Sequence, residues 1–332
     1  VVMSALNRMW YEGRWYQWLL LPFTLLFFLL SGLRRLLFRL GVKKSITLPV
    51  PVIVVGNLSV GGNGKTPLVV ALCERLQQAG YKVGVVSRGY GAKTSEFPHQ
   101  VRASDSAPLV GDEPLLIARR TGVPVVIDPN RPRAAQQLVA QGCTVIISDD
   151  GLQHYALGRD IECVVADRRL FGNQQLLPMG PLREGLWRLN TIDFLILNQP
   201  GEALELPKIS NMPTPIQMSL QPGILINVLR PQLQRDLVDL EQETHITAMA
   251  GIGDPSRFFN QLKEMGVRLD HCMALADHHA IGKQDIPDGC VIMTEKDAVK
   301  AVAHAHDNCW YQPVDAVLAE DFYTQLIQRI AR

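Results

Sequence analysis

Charge is the first thing missing from this sequence: between Trp15 and Leu33 there is no Asp, Glu, Lys or Arg. Acidic residues are absent for longer, with none between Glu12 and Glu74. The six cysteines (Cys73, Cys143, Cys163, Cys272, Cys290, Cys309) form no C-x-x-C pair and no metal-ligand spacing. That excludes a disulfide framework or a zinc module and leaves reduced thiols filling cores. The net charge of +1 advertises no affinity for a polyanion, so no nucleic-acid partner is expected. Neither an internal repeat nor a low-complexity tract appears. The 332 residues are enough for two domains, each with its own core.

The uncharged run reads as a membrane anchor within residues 1–44. As a helix it would be roughly 28 Å long, close to the hydrocarbon thickness of a bilayer. Trp10, Tyr11, Trp15, Tyr16 and Trp18 gather at its front edge as an aromatic belt, and Arg34, Arg35, Arg39, Lys43 and Lys44 follow it. Basic residues after the run, with no small-residue cleavage site, argue against a cleaved signal peptide and put the bulk of the chain on the cytoplasmic side. A buried core helix is the alternative. Pro22 and the modest length leave spanning or interfacial insertion open.

The strongest motif follows. Val52-Ile53-Val54-Val55 leads through Gly56-Asn57-Leu58 into Ser59-Val60-Gly61-Gly62-Asn63-Gly64-Lys65-Thr66-Pro67. A phosphate-binding P-loop needs glycines so that backbone N–H groups turn inward, a Lys for the β/γ oxygens, and a Ser or Thr for Mg²⁺. Residues 59–66 meet these needs, except that Ser59 stands where the strict pattern has glycine. Leu68, Val69, Ala71, Leu72 and Leu76 recur at helical spacing afterwards, so the loop opens a helix and is more than a glycine-rich turn.

Strands are expected at 51–55, 82–86, 123–127, 144–148, 162–166 and 194–197, with helices at 66–79, 112–120 and 133–140. The apolar runs are continuous and not alternating, as in strands buried on both faces of a parallel sheet. This predicts a doubly wound P-loop NTPase-type α/β core over 45–215. The proline-rich stretch 199–223 reads as a linker or an extended connection. A smaller α/β domain is expected over 216–332, with strands at 245–250, 272–275, 290–294 and near Trp310, and helices at 255–265 and 321–330.

Ligands of such sheets gather at strand carboxyl ends. Val145 to Asp150 has the form of a Walker B strand delivering Asp149 or Asp150 to Mg²⁺; spacing does not choose between them. By residue type alone Asp112 is an N-cap and Asp277-His278-His279 a polar loop. Thr294-Glu295-Lys296-Asp297 differs from the Asn-Lys-x-Asp pattern of guanine recognition, which points to ATP.

Taken in order, the anchor, the 56–67 loop, Ser87-Arg88-Gly89-Tyr90-Gly91, Gly111-Asp112-Glu113-Pro114, Asp149-Asp150-Gly151-Leu152-Gln153-His154, Gly180-Pro181-Leu182-Arg183-Glu184, Ala250-Gly251-Ile252-Gly253, Asp277-His278-His279 and Thr294 to Asp297 resemble the tetraacyldisaccharide 4'-kinases of lipid A synthesis over essentially the whole chain. The resemblance implies a bacterial inner-membrane enzyme facing the cytoplasm, using ATP and Mg²⁺ on a tetraacylated glucosamine disaccharide 1-phosphate, with no obligate protein partner. It implies Asp112 as base supported by His278, Lys65 on the γ-phosphoryl group, and Thr66, one of Asp149 and Asp150, and Glu184 around Mg²⁺. Arg131 and His154 would contact phosphate or acceptor. A membrane-attached P-loop switch ATPase is the rival; such proteins usually have Lys where Val60 stands.

Overall fold

The structure is a computed structural model describing residues 5–198 and 206–331. Helices are α1 Ala5–Glu12, α2 Leu21–Arg39, α3 Lys65–Gln78, α4 Ala107–Val110, α5 Asp112–Thr121, α6 Arg131–Ala140, α7 Pro255–Glu264, α8 Glu295–Ala301 and α9 Glu320–Ile330. Strands β1–β8 are Val52–Gly56, Val83–Ser87, His99–Val101, Val125–Ile127, Val145–Asp149, Ile161–Asp167, Phe194–Asn198 and Ile216–Pro222. Strands β9–β15 are Leu225–Asn227, Gln234–Arg235, Ile246–Ala250, His271–Ala274, Cys290–Thr294, Cys309–Gln312 and Val314–Leu318.

The large sheet runs β15-β8-β7-β6-β1-β5-β2-β4-β3. From β8 to β4 its strands are parallel, and β15 and β3 are antiparallel edges. β1, β5 and β6 are buried at every residue, which is why their sequences carry no alternation. α3, α5 and α9 cover one face, filling it with Leu68, Leu72, Leu115, Ile117, Phe322 and Leu326. α6 and the irregular stretches 151–160 and 168–192 that flank β6 cover the other. β1 lies between β5 and β6, so the loop after it opens at the switch point where chain connections diverge to both faces.

In the second sheet, β10-β9-β14-β13-β11-β12, the last four strands are parallel and β9 pairs antiparallel with both β14 and β10. Its core is built from Leu225, Phe258, Leu262 and Ile292 on one face and Met249, Met293 and Cys309 on the other.

The expected linker and the 215/216 division are corrected here. Of the 199–223 stretch, residues 199–205 lie outside the described residues, and Ile216–Pro222 is a strand of the large sheet, its prolines lying just before it and at its last position. Val314–Leu318 pairs with that strand, and α9 packs on the large sheet through Phe322, Tyr323, Leu326 and Ile330. Proline content masked β8, and a short strand beside a polar edge gave β15 no pattern to find. We propose the folding units as 45–222 with 314–330, and 225–312 as an insert between two neighbouring strands.

Ahead of the core, a 3₁₀ turn over Trp15–Leu20 runs into α2. Pro22 sits in the first turn of α2, where its missing N–H interrupts nothing. Trp18, Leu19, Phe23, Leu25, Leu26, Phe28, Leu29, Leu30 and Leu33 are exposed. The buried Thr24 turns inward instead: its hydroxyl accepts from Met179 N at 3.1 Å, and Trp10 Nε1 donates to Pro178 O at 2.9 Å. One face of the segment is thereby seated on the large lobe, while a contiguous apolar surface of a kind soluble monomers rarely leave bare faces outward.

Candidate active site

The loop between β1 and α3 is held by its own side chains. Asn57 Nδ2 donates to Gly61 O at 3.1 Å and Asn63 Nδ2 to Ser59 Oγ at 3.1 Å. Ser59 is buried, so a serine here supplies an acceptor that a glycine would not. Gly61 and Gly64 have φ of +110° and +91°, which side chains other than glycine rarely adopt. Asn198, at the end of β7, donates to Asn63 O at 3.1 Å, and Arg169 Nη2 reaches Gly62 O at 3.2 Å. Val60 N donates to Pro181 O, fastening the loop to the 180–184 segment. Lys65 and Thr66 open α3, so the loop's N–H groups and the helix N-terminus share one anion site.

Beside it, β5 ends at the pair Asp149 and Asp150. Asp149 is buried, and Asp150, at φ +45°, turns outward to Lys65 Nζ at 3.6 Å and Arg183 Nη1 at 3.0 Å. Burial, then Glu113 and Asp150, push the Asp149 carboxyl up to about 7, and its Oδ1 lacks a hydrogen-bond partner. Burial raises Asp150 too, but Lys65 and Arg183 outweigh it and hold the group at about 2. A divalent cation is the chemistry that an unpartnered buried carboxylate beside a phosphate loop fits.

Asp112 is the first residue of α5, with Gly111 as its cap at φ +93°. The N-cap reading by residue type is therefore off by one position. The Asp112 carboxylate is buried and lies 3.1 Å from Nδ1 of His278, which arrives from the small lobe. His278 holds φ +60°, an uncommon conformation for a histidine, with its N–H donating to Asp277 Oδ1 at 3.1 Å. Burial raises the Asp112 carboxyl, yet the His278 hydrogen bond and the Lys296 charge hold it down at about 2. The Asp112 bond in turn raises His278. His279 faces the other way, toward Asp285 Oδ2 at 3.3 Å.

Arg131 and His154 sit on the far wall. Arg131 Nη2 donates to Asp149 O at 2.8 Å, while its Nε is buried without a partner. Burial, then Arg131, lower His154 to about 4, so it is neutral near pH 7, with Nε2 unpartnered. Glu184 is buried among Tyr155, Gln153 (3.4 Å), Arg188 (3.6 Å) and Arg35 (3.7 Å). These donors already occupy its oxygens, whereas Asp149 Oδ1 has no hydrogen-bond partner.

These groups converge on one cavity of about 910 Å³. Its walls include Gly61, Lys65, Asp112, Asp149, Arg131 and His278, and also Phe27, Leu30, Ser31 and Arg34 of α2. A second cavity, of about 200 Å³, continues past Thr66 between the lobes, against Gly253, Arg257 and Lys296. Asn198, Arg183, Glu113 and Lys296 took no role in the residue-by-residue reading. Asn198 ends a strand expected to stop at Leu197, the position where a polar residue carries the signal.

A P-loop on a doubly wound parallel sheet, with paired carboxylates at the end of the neighbouring strand and an acid–histidine pair bridging to a second lobe, is the architecture of a phosphotransferase that uses a nucleoside triphosphate. The family model for tetraacyldisaccharide-1-P 4'-kinase matches residues 16–331, and the chain belongs to that family of phosphotransferases acting on a hydroxyl. A tetraacyldisaccharide 4'-kinase of Shewanella sp. (strain MR-4) is 47% identical over 331 residues, covering 98% of this chain and 94% of the relative. One from Pseudoalteromonas atlantica is 48% identical over 316 residues, covering 93% and 99%. Among solved structures, LpxK from Aquifex aeolicus, in complex with ATP, is similar with a TM-score of 0.78 and 29% identity over 95% of this chain and 99% of that one.

Proposed function

We propose that the chain transfers the γ-phosphoryl group of ATP to the 4'-hydroxyl of a tetraacylated glucosamine disaccharide 1-phosphate, giving the 1,4'-bisphosphate and ADP. One observation carries the reading beyond family membership. The cavity that holds Asp112 and the P-loop is walled on its other side by the membrane-type helix α2. A four-chain acceptor does not leave the bilayer, at about 0.8 kcal/mol per buried CH₂, so its sugar must meet the nucleotide at such a helix. The cytoplasmic face of a bacterial inner membrane, where ATP is found and the basic flank of α2 is retained, is the location this implies.

In this reading the attacking 4'-hydroxyl hydrogen-bonds Asp112, ionised throughout the neutral range, and gives up its proton there as the new P–O bond forms. His278 Nδ1 fixes the carboxylate and stabilises its charge. Phosphoryl transfer demands positioning and charge neutralisation more than strong base catalysis, so a carboxyl near 2 suffices. Lys65 and the loop N–H groups take the charge on the transferring phosphoryl oxygens. Mg²⁺, when bound, would neutralise the phosphates, with Thr66 and Asp149 or Asp150 as the residues to hold it and Glu184 behind them. Arg131 and neutral His154 would meet acceptor or phosphate oxygens.

The test is phosphoryl transfer from γ-labelled ATP to lipid A disaccharide 1-phosphate in detergent micelles, with intact protein, Lys65→Ala and Asp112→Ala. Label on the lipid with intact protein alone supports the reading. ATP hydrolysis without labelled lipid refutes it and favours the switch ATPase.

A further inference from the structure

The small lobe places two cations against the start of α5. One is His278. The other is Lys296, in the first turn of α8, and no role in the reaction described above uses it. Its Nζ lies 2.9 Å from Glu113 Oε1, 3.2 Å from Asp277 Oδ1 and 3.8 Å from Asp112 Oδ2. Lys296 is nearly buried, and burial would strip its charge were it not for Glu113, Asp112 and Asp277, which raise its pKa instead.

The turn that carries Lys296 is rigid. Thr294 caps α8 through Asp297 N at 3.2 Å, and the fully buried Asp297 accepts from Gly251 N at 2.8 Å and lies 2.7 Å from Lys300 Nζ. α8 is thus pinned to the carboxyl end of β11 within its own lobe. On the opposite side, Asp112 and Glu113 are adjacent carboxylates in the first turn of α5. Two neighbouring, largely buried acids repel, and neither keeps its geometry without a cation between the lobes. His278 holds one oxygen pair, and among the described residues Lys296 alone spans both acids and Asp277, the residue that also holds His278 N.

We infer that Lys296 is a positioning residue, a clamp that seats the small lobe on Asp112 and Glu113 and keeps His278 in register with the carboxylate it supports. The inference rests on the kinase reading for Asp112. Arg120, reaching Glu295 at 2.9 Å and Asp315, closes the neighbouring edge, and Lys296 joins His278 at Asp112 itself. Groups facing His278 are Asp112, Asp277, Lys296 and the Tyr90 ring at 5.5 Å.

The experiment compares intact protein, Lys296→Met, Lys296→Arg and Asp112→Ala in lipid-kinase kinetics and in a titration of the His278 ring protons by NMR. A clamp predicts that Lys296→Met lowers kcat about 10–100-fold with KM for ATP within threefold. It also predicts that the His278 pKa falls toward its ordinary value, because the Asp112 bond is lost. Lys296→Arg should restore both within about threefold. A lysine that is merely a nearby charge gives the opposite sign, since removing a positive neighbour raises the histidine; that result, or kcat within twofold of intact protein, overturns the inference. A kcat loss with the titration unmoved and Lys296→Arg equally impaired also overturns it, as a purely structural role. If Asp112→Ala leaves transfer intact, it is the base role of Asp112, on which the inference rests, that fails.

Discussion

Gly64 gives a prediction that the structure makes quantitative. It precedes Lys65 at φ +91°, and a Cβ placed there would stand 2.3 Å from Asn198 Nδ2 and 3.1 Å from its Cγ. An alanine therefore meets two penalties. The left-handed backbone costs an L-residue about 1–2 kcal/mol. The clash must push away the buried Asn198, whose amide donates to Asn63 O at 3.1 Å and accepts from Arg257 at 3.2 Å. A buried group left unpaired adds about 1–3 kcal/mol. A total near 3 kcal/mol against the anion-cradling loop shape corresponds to about a hundredfold loss of affinity. Calorimetric titration of Gly64→Ala with a non-hydrolysable ATP analogue measures it. Gly80 is the control: its φ is +88°, but nothing lies within 4 Å of its would-be Cβ. Gly80→Ala should bind nucleotide as the intact protein does. Affinity of Gly64→Ala within threefold of intact protein would show that loop shape is not what the asparagine enforces.

Other outcomes follow from the same geometry. Asp112→Asn should lower kcat for lipid phosphorylation about 10²–10⁴-fold while nucleotide affinity, measured by titration, stays within threefold. Phe322, 2% exposed and edge-on to Phe194, should cost about 3–5 kcal/mol when replaced by alanine, read by urea unfolding of the large lobe. Under 1 kcal/mol would argue that α9 is not part of that core. His278 is raised in the folded state, so its pairing with Asp112 stabilises fully below its unfolded pKa and fades as pH rises through the folded one. The melting-temperature gap between intact protein and His278→Gln should accordingly be wider at pH 6 than at pH 9.

The large sheet was legible because its chemistry is local. Six apolar runs correspond to parallel strands whose ends differ by at most two residues, and the glycine pattern after the first marks the loop without reference to the helix that follows. Polar residues at strand ends, Asp149 and Asp150 among them, stood out because burying them without purpose is costly. What spacing does not encode is which lobe meets which. Asp112 and His278 are 166 positions apart, and only the family resemblance joined them. Lys296 reaches Glu113 across 183 positions, and a lysine in a short polar helix start carries no mark of that contact. β8 and β15 were missed for a different reason: they lie at the margin of the sheet, where exposed positions and flanking prolines erase the apolar run.

The order of the large sheet also bears on how the protein is made. β8 and β15 lie side by side, yet residues 225–312 fold elsewhere and are synthesised between them. At roughly 5–20 residues per second, the edge of the nucleotide-binding sheet waits several seconds for its last strand and for α9. During that interval β8 presents an unpaired backbone edge and the face that Phe322 later covers is bare. α2 emerges long before, so the growing chain presents the exposed apolar surface of that helix and the open sheet edge at the same time.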